Sequence, residues 1–356
     1  MLHRVRARAS NFRQGWFAPP SSDLRPLASP AQAKAADIIV SCYDNWTDHR
    51  HGGWGNLVDA ARRATPNGSC VWDGVAFIRG ENPAPDWHLI LNNLDWDRRD
   101  LRFWGRPNRT ILAVCEPPTP THRPWHRGQG DGTIVLTCDA DIVASASPAR
   151  RYQIENSLTP MWTVDRSYDY LSSCETPDKT RALSWICSAE SIMAGHRYRL
   201  AFLEKMKQNV AFDHFGRGFR PVTDKWDGLA PYKYSIAFEN FRDDWYFTEK
   251  LGDCFVAETM PIYYGSPAIT KFFPAESMVI LDPEDPDVFR IIADVVKSDR
   301  WERNLDAIRE AKRLVLEEYN VFARLARFVK AESGKPDRRR PMQLTRIDLN
   351  YGSQDQ

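Results

Sequence analysis

YKYSIAFENFRDDWYFTEKLGDCFVAETMPIYYG, residues 232 to 265, carries two strands and a helix in close succession. Tyr232 to Phe238 is apolar and rich in aromatic and β-branched residues, as a buried strand requires. It ends abruptly on the polar pair Glu239 and Asn240. Trp245 to Ala257 has helical spacing, and Pro261 to Tyr264 returns to an apolar strand. The order β, α, β predicts parallel pairing of the two strands. Ligands of open α/β sheets bind beyond the carboxyl ends of such strands, where Glu239 and Asn240 are placed to hydrogen-bond ligand hydroxyls. Thr248, Glu249 and Lys250 open the helix, whose free N–H groups form a natural anion site with Lys250 beside them. A plainer reading stays open for this triplet: Thr248 or Asp244 caps the helix, and Glu249 and Lys250 are solvated.

The same alternation extends upstream. Ala182 to Cys187 reads as a strand, His196 to Lys207 as a helix and Ala211 to Phe215 as a strand, followed by a turn at Gly216 and Gly218. A separate series of short apolar runs occupies Asp37 to Cys42, Val75 to Ile78, Trp87 to Leu91, Thr110 to Val114 and Thr133 to Thr137. Polar and turn residues gather at Tyr168 to Lys179, which reads as a linker. Helical spacing dominates Asp287 to Ala331. The fold class expected is therefore α/β, with two Rossmann-like domains facing across a cleft and helices at the C-terminus. Their expected limits are residues 34–170 for the first and 171–331 for the second. Residues 1–33 read as an irregular leader, and 332–356 as a flexible basic tail.

A length of 356 residues fits two domains. The 48 basic and 47 acidic residues nearly cancel, so no bulk field draws the chain to nucleic acid, and any anion must be bound locally. The seven cysteines form no CxxC pair and leave one over in any disulfide scheme, which favours reduced, buried thiols. No stretch of 18 apolar residues occurs, and no apolar run follows the arginines of the leader. The expectation is a cytoplasmic protein without a membrane span, its basic tail available for peripheral contact with the inner face of a membrane.

The 232–265 segment resembles the donor-binding motif of the α-1,3/1,4-fucosyltransferases, glycosyltransferase family ten. The resemblance is carried by Tyr232, Lys233 and Tyr234, by Phe238, Glu239 and Asn240, by Tyr246, Thr248, Glu249 and Lys250, and by Pro261, Ile262 and Gly265. It implies a GT-B fold, with Glu249 contacting the donor sugar, Lys250 the pyrophosphate and Tyr246 the nucleotide sugar. Ser184 to Met206 is similar to the family's strand and Arg-bearing helix. There Arg199, three residues before Phe202, aligns with the arginine that binds the donor diphosphate, although Arg197 fits an alternative register. Guanidinium suits that task because it offers planar, bidentate contacts to phosphate. Phe241 departs from the family pattern, which has Ser after the Asn.

In the first domain, ILAVCEPP (Ile111 to Pro118) sets Glu116 directly after an apolar strand and resembles the family's Glu-Pro-Pro element, whose glutamate is the proposed base. An inverting transfer needs one such base to deprotonate the acceptor hydroxyl. The alternative is that Glu116 only caps a turn before Pro117 and Pro118. Asp139-Ala140-Asp141 and Asp243-Asp244 suggest a metal-binding pair, but Arg199 and Lys250 already supply positive charge, so no metal is expected to be essential. His49 with His51, and His122 with His126, are weak metal pairs, and Pro124 interrupts the helix the second pair needs. His122 and His126 are placed instead along the cleft. Gly52, Gly53 and Gly55 lack the ending of a phosphate loop and read as a turn near the acceptor.

The function these readings imply is single-displacement transfer of L-fucose from GDP-β-L-fucose to a GlcNAc-type glycan hydroxyl, with no cofactor. The partners are a GDP-sugar donor and a glycan acceptor. Two alternatives remain: another sugar nucleotide as donor, or a catalytically silent glycan-binding protein on the same fold.

Overall fold

The computed structural model describes residues 36–44, 57–79, 85–94, 100–128, 133–146, 151–159, 161–334 and 340–347. The leader at 1–33, the pair His49 and His51, the glycines 52, 53 and 55, and residues 335–339 and 348–356 of the tail lie outside the described residues.

The apolar runs of the first half become the strands of one sheet. β1 (Ile38–Asp44), β2 (Val71–Trp72), β3 (Val75–Arg79), β4 (Trp87–Leu91), β6 (Thr110–Ala113), β7 (Ile134–Thr137) and β8 (Arg151–Ile154) assemble in the order β2-β3-β1-β4-β6-β7-β8. Every pairing is parallel except the short β2–β3 hairpin. β4, β6 and β7 are buried along their whole length, as unbroken apolar strands covered on both faces should be. Helices α1 (Leu57–Ala64), α2 (Arg123–His126) and α3 (Ala140–Ala144) lie between them in sequence. One face is covered by a separate antiparallel ribbon of β5 (Asp100–Gly105) and β14 (Arg340–Thr345). The expected flexible tail is therefore a strand over 340–345. Its alternation explains why: Met342 and Leu344 are buried with Leu101 and Phe103 against Ile90, Leu112 and Val135, while the residues between them face out.

After α4 (Tyr168–Ser173), a short helix inside the expected linker, the chain builds a second, wholly parallel sheet. It comprises β9 (Arg181–Ile186), β10 (Asp213–Phe215), β11 (Tyr232–Phe238), β12 (Met260–Tyr264) and β13 (Val279–Ile280), ordered β10-β9-β11-β12-β13. Tyr234 stands opposite Met260 and Phe238 opposite Tyr264, as the β, α, β reading requires. The crossovers include α5 (Ala194–Asn209) and α6 (Glu249–Val256), and α7 (Val288–Lys297), α8 (Arg300–Arg303), α9 (Leu305–Arg313) and α10 (Val321–Ser333) follow. Trp185, Phe202, Phe238 and Ile262 centre the core of this sheet.

Two features bring the sheets together. α10 belongs in sequence to the second half but packs on the first sheet: Phe322 meets Phe77 edge-on at 5.1 Å, and Trp87 Nε1 donates to Ser333 Oγ at 3.0 Å. Gly252 in α6 allows the segment before α4 to close in, since a Cβ there would lie 1.7 Å from Met161 O. Next to it Asp253 accepts the Thr163 N–H at 2.5 Å and hydroxyl at 2.7 Å. The result is the expected GT-B arrangement of two parallel α/β domains. In the second sheet the strand order reverses between β9 and β11, and the crevice at such a reversal, beyond the strands' carboxyl ends, is where ligands bind.

Candidate active site

A cleft of about 430 Å³ opens at that reversal. Glu116 and Pro117, just past β6, line one side; His196, Arg199, Asn240, Tyr246, Glu249 and Lys250 line the other. Residues far apart in sequence are brought together because the ends of β6 and β11, the loop before α6 and the first turns of α5 and α6 meet there.

The entry to α6 is organised by one carboxylate. Glu239, fully buried at the end of β11, accepts the Thr248 N–H at 2.7 Å and its hydroxyl at 2.8 Å, and lies 3.2 Å from Lys250 Nζ. Thr248 is the N-cap of α6, its Oγ accepting from Lys250 N at 3.3 Å and from Lys250 Nζ at 3.1 Å. The capping alternative for Thr248 is thus realised, whereas the expectation that Glu239 meets ligand hydroxyls is corrected. Its oxygens turn inward because they satisfy the N–H, hydroxyl and ammonium groups of the α6 entry. Nor are Glu249 and Lys250 solvated side chains: Glu249 is buried and Lys250 largely so. Burial opposes the Lys250 charge, but Glu239 and Glu249 outweigh it and hold the ammonium's pKa above the ordinary lysine value. Burial pushes the Glu249 carboxyl up, yet Lys250 and Lys225 prevail and keep it below the usual carboxylate range.

Arg199 reaches the cleft from α5 under different conditions. Its Nη1 donates to Asn240 Oδ1 at 2.8 Å and Nη2 to Ser188 O at 3.3 Å, while Nε is buried without a partner. Among the described residues no carboxylate lies within 4.0 Å of this guanidinium, although it is only 5% exposed. The rival, Arg197, bonds the carbonyls of Ser191 and Ile192 at the surface and does not line the cleft. The turn after β11 sits tightly on the start of α5: a Cβ on Gly195 would fall 1.6 Å from Asn240 O. That contact sets Asn240 against Arg199.

Tyr246 lines the cleft with its ring edge-on to Phe241, 5.7 Å between centroids, so the phenylalanine that departs from the family pattern is a packing partner of Tyr246. Burial, with the nearby carboxylates Glu239, Glu116 and Glu249 adding to it, raises the Tyr246 hydroxyl well above its ordinary pKa.

Across the cleft, the Glu116 carboxylate makes no hydrogen bond or ion pair among the described residues. Its backbone is held from behind. His126 Nε2 donates to Glu116 O at 3.1 Å, and His126 Nδ1 accepts from the Thr137 hydroxyl at 2.6 Å. Burial lowers the His126 pKa to about 4, so the ring is neutral. His122 is likewise buried, 3.0 Å from Thr119 Oγ. Neither histidine lines the cleft, which corrects their expected place: His126 turns to Thr137 on β7, and His122 sits against Thr119 and Trp125. Asp139 caps α3 and pairs with Arg123 at 2.9 Å, so it is already engaged. Among the described residues no group of three His, Cys, Asp or Glu side chains is arranged to hold a metal ion. All seven cysteines are free, six of them buried.

Residues 176–290 match the model of the family described as glycosyltransferase family 10 (fucosyltransferase), C-terminal part. The chain belongs to glycosyltransferase family 10. It is 41% identical over 211 residues to the α-(1,3)-fucosyltransferase of Helicobacter pylori, covering 57% of this chain and 40% of that protein. It is 37% identical over 259 residues to GDP-fucose protein O-fucosyltransferase 3 of Bos taurus, covering 67% of this chain and 48% of that one. The chain thus spans less than half the length of these two relatives. A crystal structure of an α1,3-fucosyltransferase with GDP superposes with a TM-score of 0.47 at 17% identity, over 87% of this chain and 96% of that chain.

The family 10 match contains the whole Arg199 to Lys250 wall and excludes Glu116. Sequence reasoning missed His196, which also lines the cleft. Its one available signal was its place three residues before Arg199, on the same helical face. No helix among the described residues is long and apolar enough to cross a membrane.

Proposed function

We propose that this family 10 chain is an inverting glycosyltransferase that moves L-fucose from GDP-β-L-fucose to a GlcNAc-type glycan hydroxyl. The observation that carries the reading is Arg199, a buried guanidinium in the cleft with no carboxylate partner among the described residues, beside a second cation at Lys250. A buried charge without a counter-ion costs stability and is best accounted for by an anion that arrives with the ligand. The two cations suit a diphosphate. Asn240, Tyr246 and Glu249 surround the space next to it, and Thr248 positions Lys250.

In the proposed reaction the Glu116 carboxylate takes the proton of the acceptor hydroxyl. The oxygen attacks C1 of fucose from the face opposite GDP, the bond from C1 to the phosphate oxygen breaks, and the configuration inverts to α. Arg199 and Lys250 stabilise charge gathering on the departing GDP, already in place before reaction. No metal is needed for that step, so transfer should persist in chelator. The relatives' names support fucose as the sugar. The match to a protein O-fucosyltransferase over 67% of this chain makes a protein hydroxyl the second acceptor class to try.

A thermal-shift panel of GDP, UDP and dTDP, followed by donor hydrolysis and transfer to glycan and peptide acceptors, tests the reading. Stabilisation by GDP alone is the expected result. Equal stabilisation by UDP or dTDP would point to another donor, and GDP binding without hydrolysis or transfer to a silent binding protein.

A further inference from the structure

His196 occupies the third position of α5, one turn before Arg199, and is 8% exposed. Its Nδ1 accepts the backbone N–H of Met193, at the helix N-cap, at 3.3 Å. An acceptor nitrogen carries no proton, so in the neutral ring the hydrogen is on Nε2. That nitrogen, on the opposite edge of the ring, makes no hydrogen bond to another described residue, and the side chain lines the cleft with Arg199 and Lys250. The wall therefore holds two donors without protein partners, Arg199 Nε and His196 Nε2.

We infer that His196 Nε2–H is a third, uncharged hydrogen-bond donor to the diphosphate of the bound nucleotide, acting between Arg199 and Lys250. This rests on the donor-site reading above and adds a residue to it. The alternative role, a cationic histidine, is disfavoured by the surroundings. Protonating Nδ1 would set its hydrogen against the Met193 N–H that already occupies that lone pair. Burial comes first in lowering the ring's pKa to about 4, and Arg199, Lys250 and Arg197 add to it. Of the other charged groups on the cleft, Arg217 acts in the same direction, whereas Glu116, Glu190 and Glu249 oppose it. A neutral donor has a specific use here. It stabilises phosphate oxygen without adding a third positive charge to a wall where Arg199 already lacks a counter-ion, and its contribution does not change across neutral pH.

Two near-isosteric variants separate this role from helix capping. In His196→Asn the amide oxygen stands near the Nδ1 position and accepts the Met193 N–H, but the distal donor is gone. In His196→Gln the amide nitrogen reaches the Nε2 position. Calorimetric titration of the full chain with GDP and with guanosine is the measurement. The expected result is GDP binding about 10- to 100-fold weaker in the Asn variant, within about threefold of the parent in the Gln variant, and guanosine binding unchanged in both. Parent-like GDP binding by His196→Asn overturns the inference, as does equal weakening of GDP and guanosine or equal loss in both variants. Arg199→Met and Lys250→Ala run alongside as controls. If they too bind GDP like the parent, the donor-site reading itself fails; if they lose affinity and the Asn variant does not, only the role of His196 fails.

Discussion

Replacing Arg199 with Met removes the guanidinium while keeping an unbranched chain to fill much of the space. In the unliganded protein the charge costs several kcal/mol of desolvation. It recovers part of that through its bonds to Asn240 and Ser188, each worth about 1.5–3 kcal/mol for a charged donor. Loss of the charge and loss of the two bonds nearly offset each other, so the variant's Tm should stay within about 5 °C of the parent or rise. GDP binding should behave oppositely. A guanidinium about 4 Å from one phosphate charge interacts by roughly 4 kcal/mol at the effective dielectric of a protein near its surface. If desolvation of the phosphate offsets about a quarter of this, roughly 3 kcal/mol is lost, on the order of 100-fold in Kd. At a GDP concentration of about 100 times the parent's Kd, the ligand stabilises the parent by about 2.7 kcal/mol and the variant by about 0.4 kcal/mol. For a chain of 356 residues, thermal unfolding with and without GDP then reads a shift of roughly 3–5 °C in the parent and about 0.5 °C in Arg199→Met. A variant that loses more than about 10 °C without ligand yet keeps the GDP shift would mark Arg199 as a structural strut and refute the argument from its missing counter-ion.

Glu116→Gln should reduce transfer about 10²- to 10⁴-fold at saturating donor with GDP affinity unchanged; initial rates with near-parental turnover would remove the base from Glu116. Thr248→Val deletes both the α6 cap and the hydroxyl bond to Glu239, so it should lower stability by about 2 kcal/mol and Tm by roughly 2–4 °C. Thr248→Ser, which keeps the hydroxyl, should recover most of that stability, and unfolding curves of the two variants decide whether the hydroxyl or the methyl matters. His126 and His196 both have pKa values lowered to about 4, chiefly by burial. The unfolded chain then binds protons at these sites below about pH 6.5 while the folded chain does not until about pH 4, so stability falls as pH drops through that window. Each site contributes on the order of 3 kcal/mol to the fall, and denaturant unfolding from pH 7 to pH 4.5 should show its slope flattened in His126→Gln.

What the sequence showed and hid follows from where each residue's side chain has to go. β1, β3, β4, β6 and β7 announce themselves because strands covered on both faces are continuous apolar runs. β8 and the β5–β14 ribbon escape because edge and one-sided strands alternate or stay half exposed, and RYQI or RPMQLT matches many loops equally well. The site obeys a similar division. Position at the end of a strand or the start of a helix was legible for Glu116, Asn240 and Lys250, because topology sends all such positions to one crevice. Direction was not. Glu239 stands at the end of β11 and was expected to face the ligand, yet the uncapped N–H of Thr248 and the ammonium of Lys250 lie on its inner side and claim both its oxygens. His126 was expected in the cleft and instead bonds the far side of the backbone that carries Glu116. Arg199 and Lys250 look equivalent as letters, two cations on helices, but only Lys250 is neutralised within the protein, by Glu239 at 3.2 Å and Glu249 at 3.5 Å. Lys250 is therefore held by the fold whether or not a ligand is present, whereas Arg199 has no carboxylate partner among the described residues. On the proposed donor-site reading, that asymmetry gives the two cations different work: Lys250 keeps the entry to α6 in shape, and Arg199 supplies most of the attraction that a diphosphate would feel.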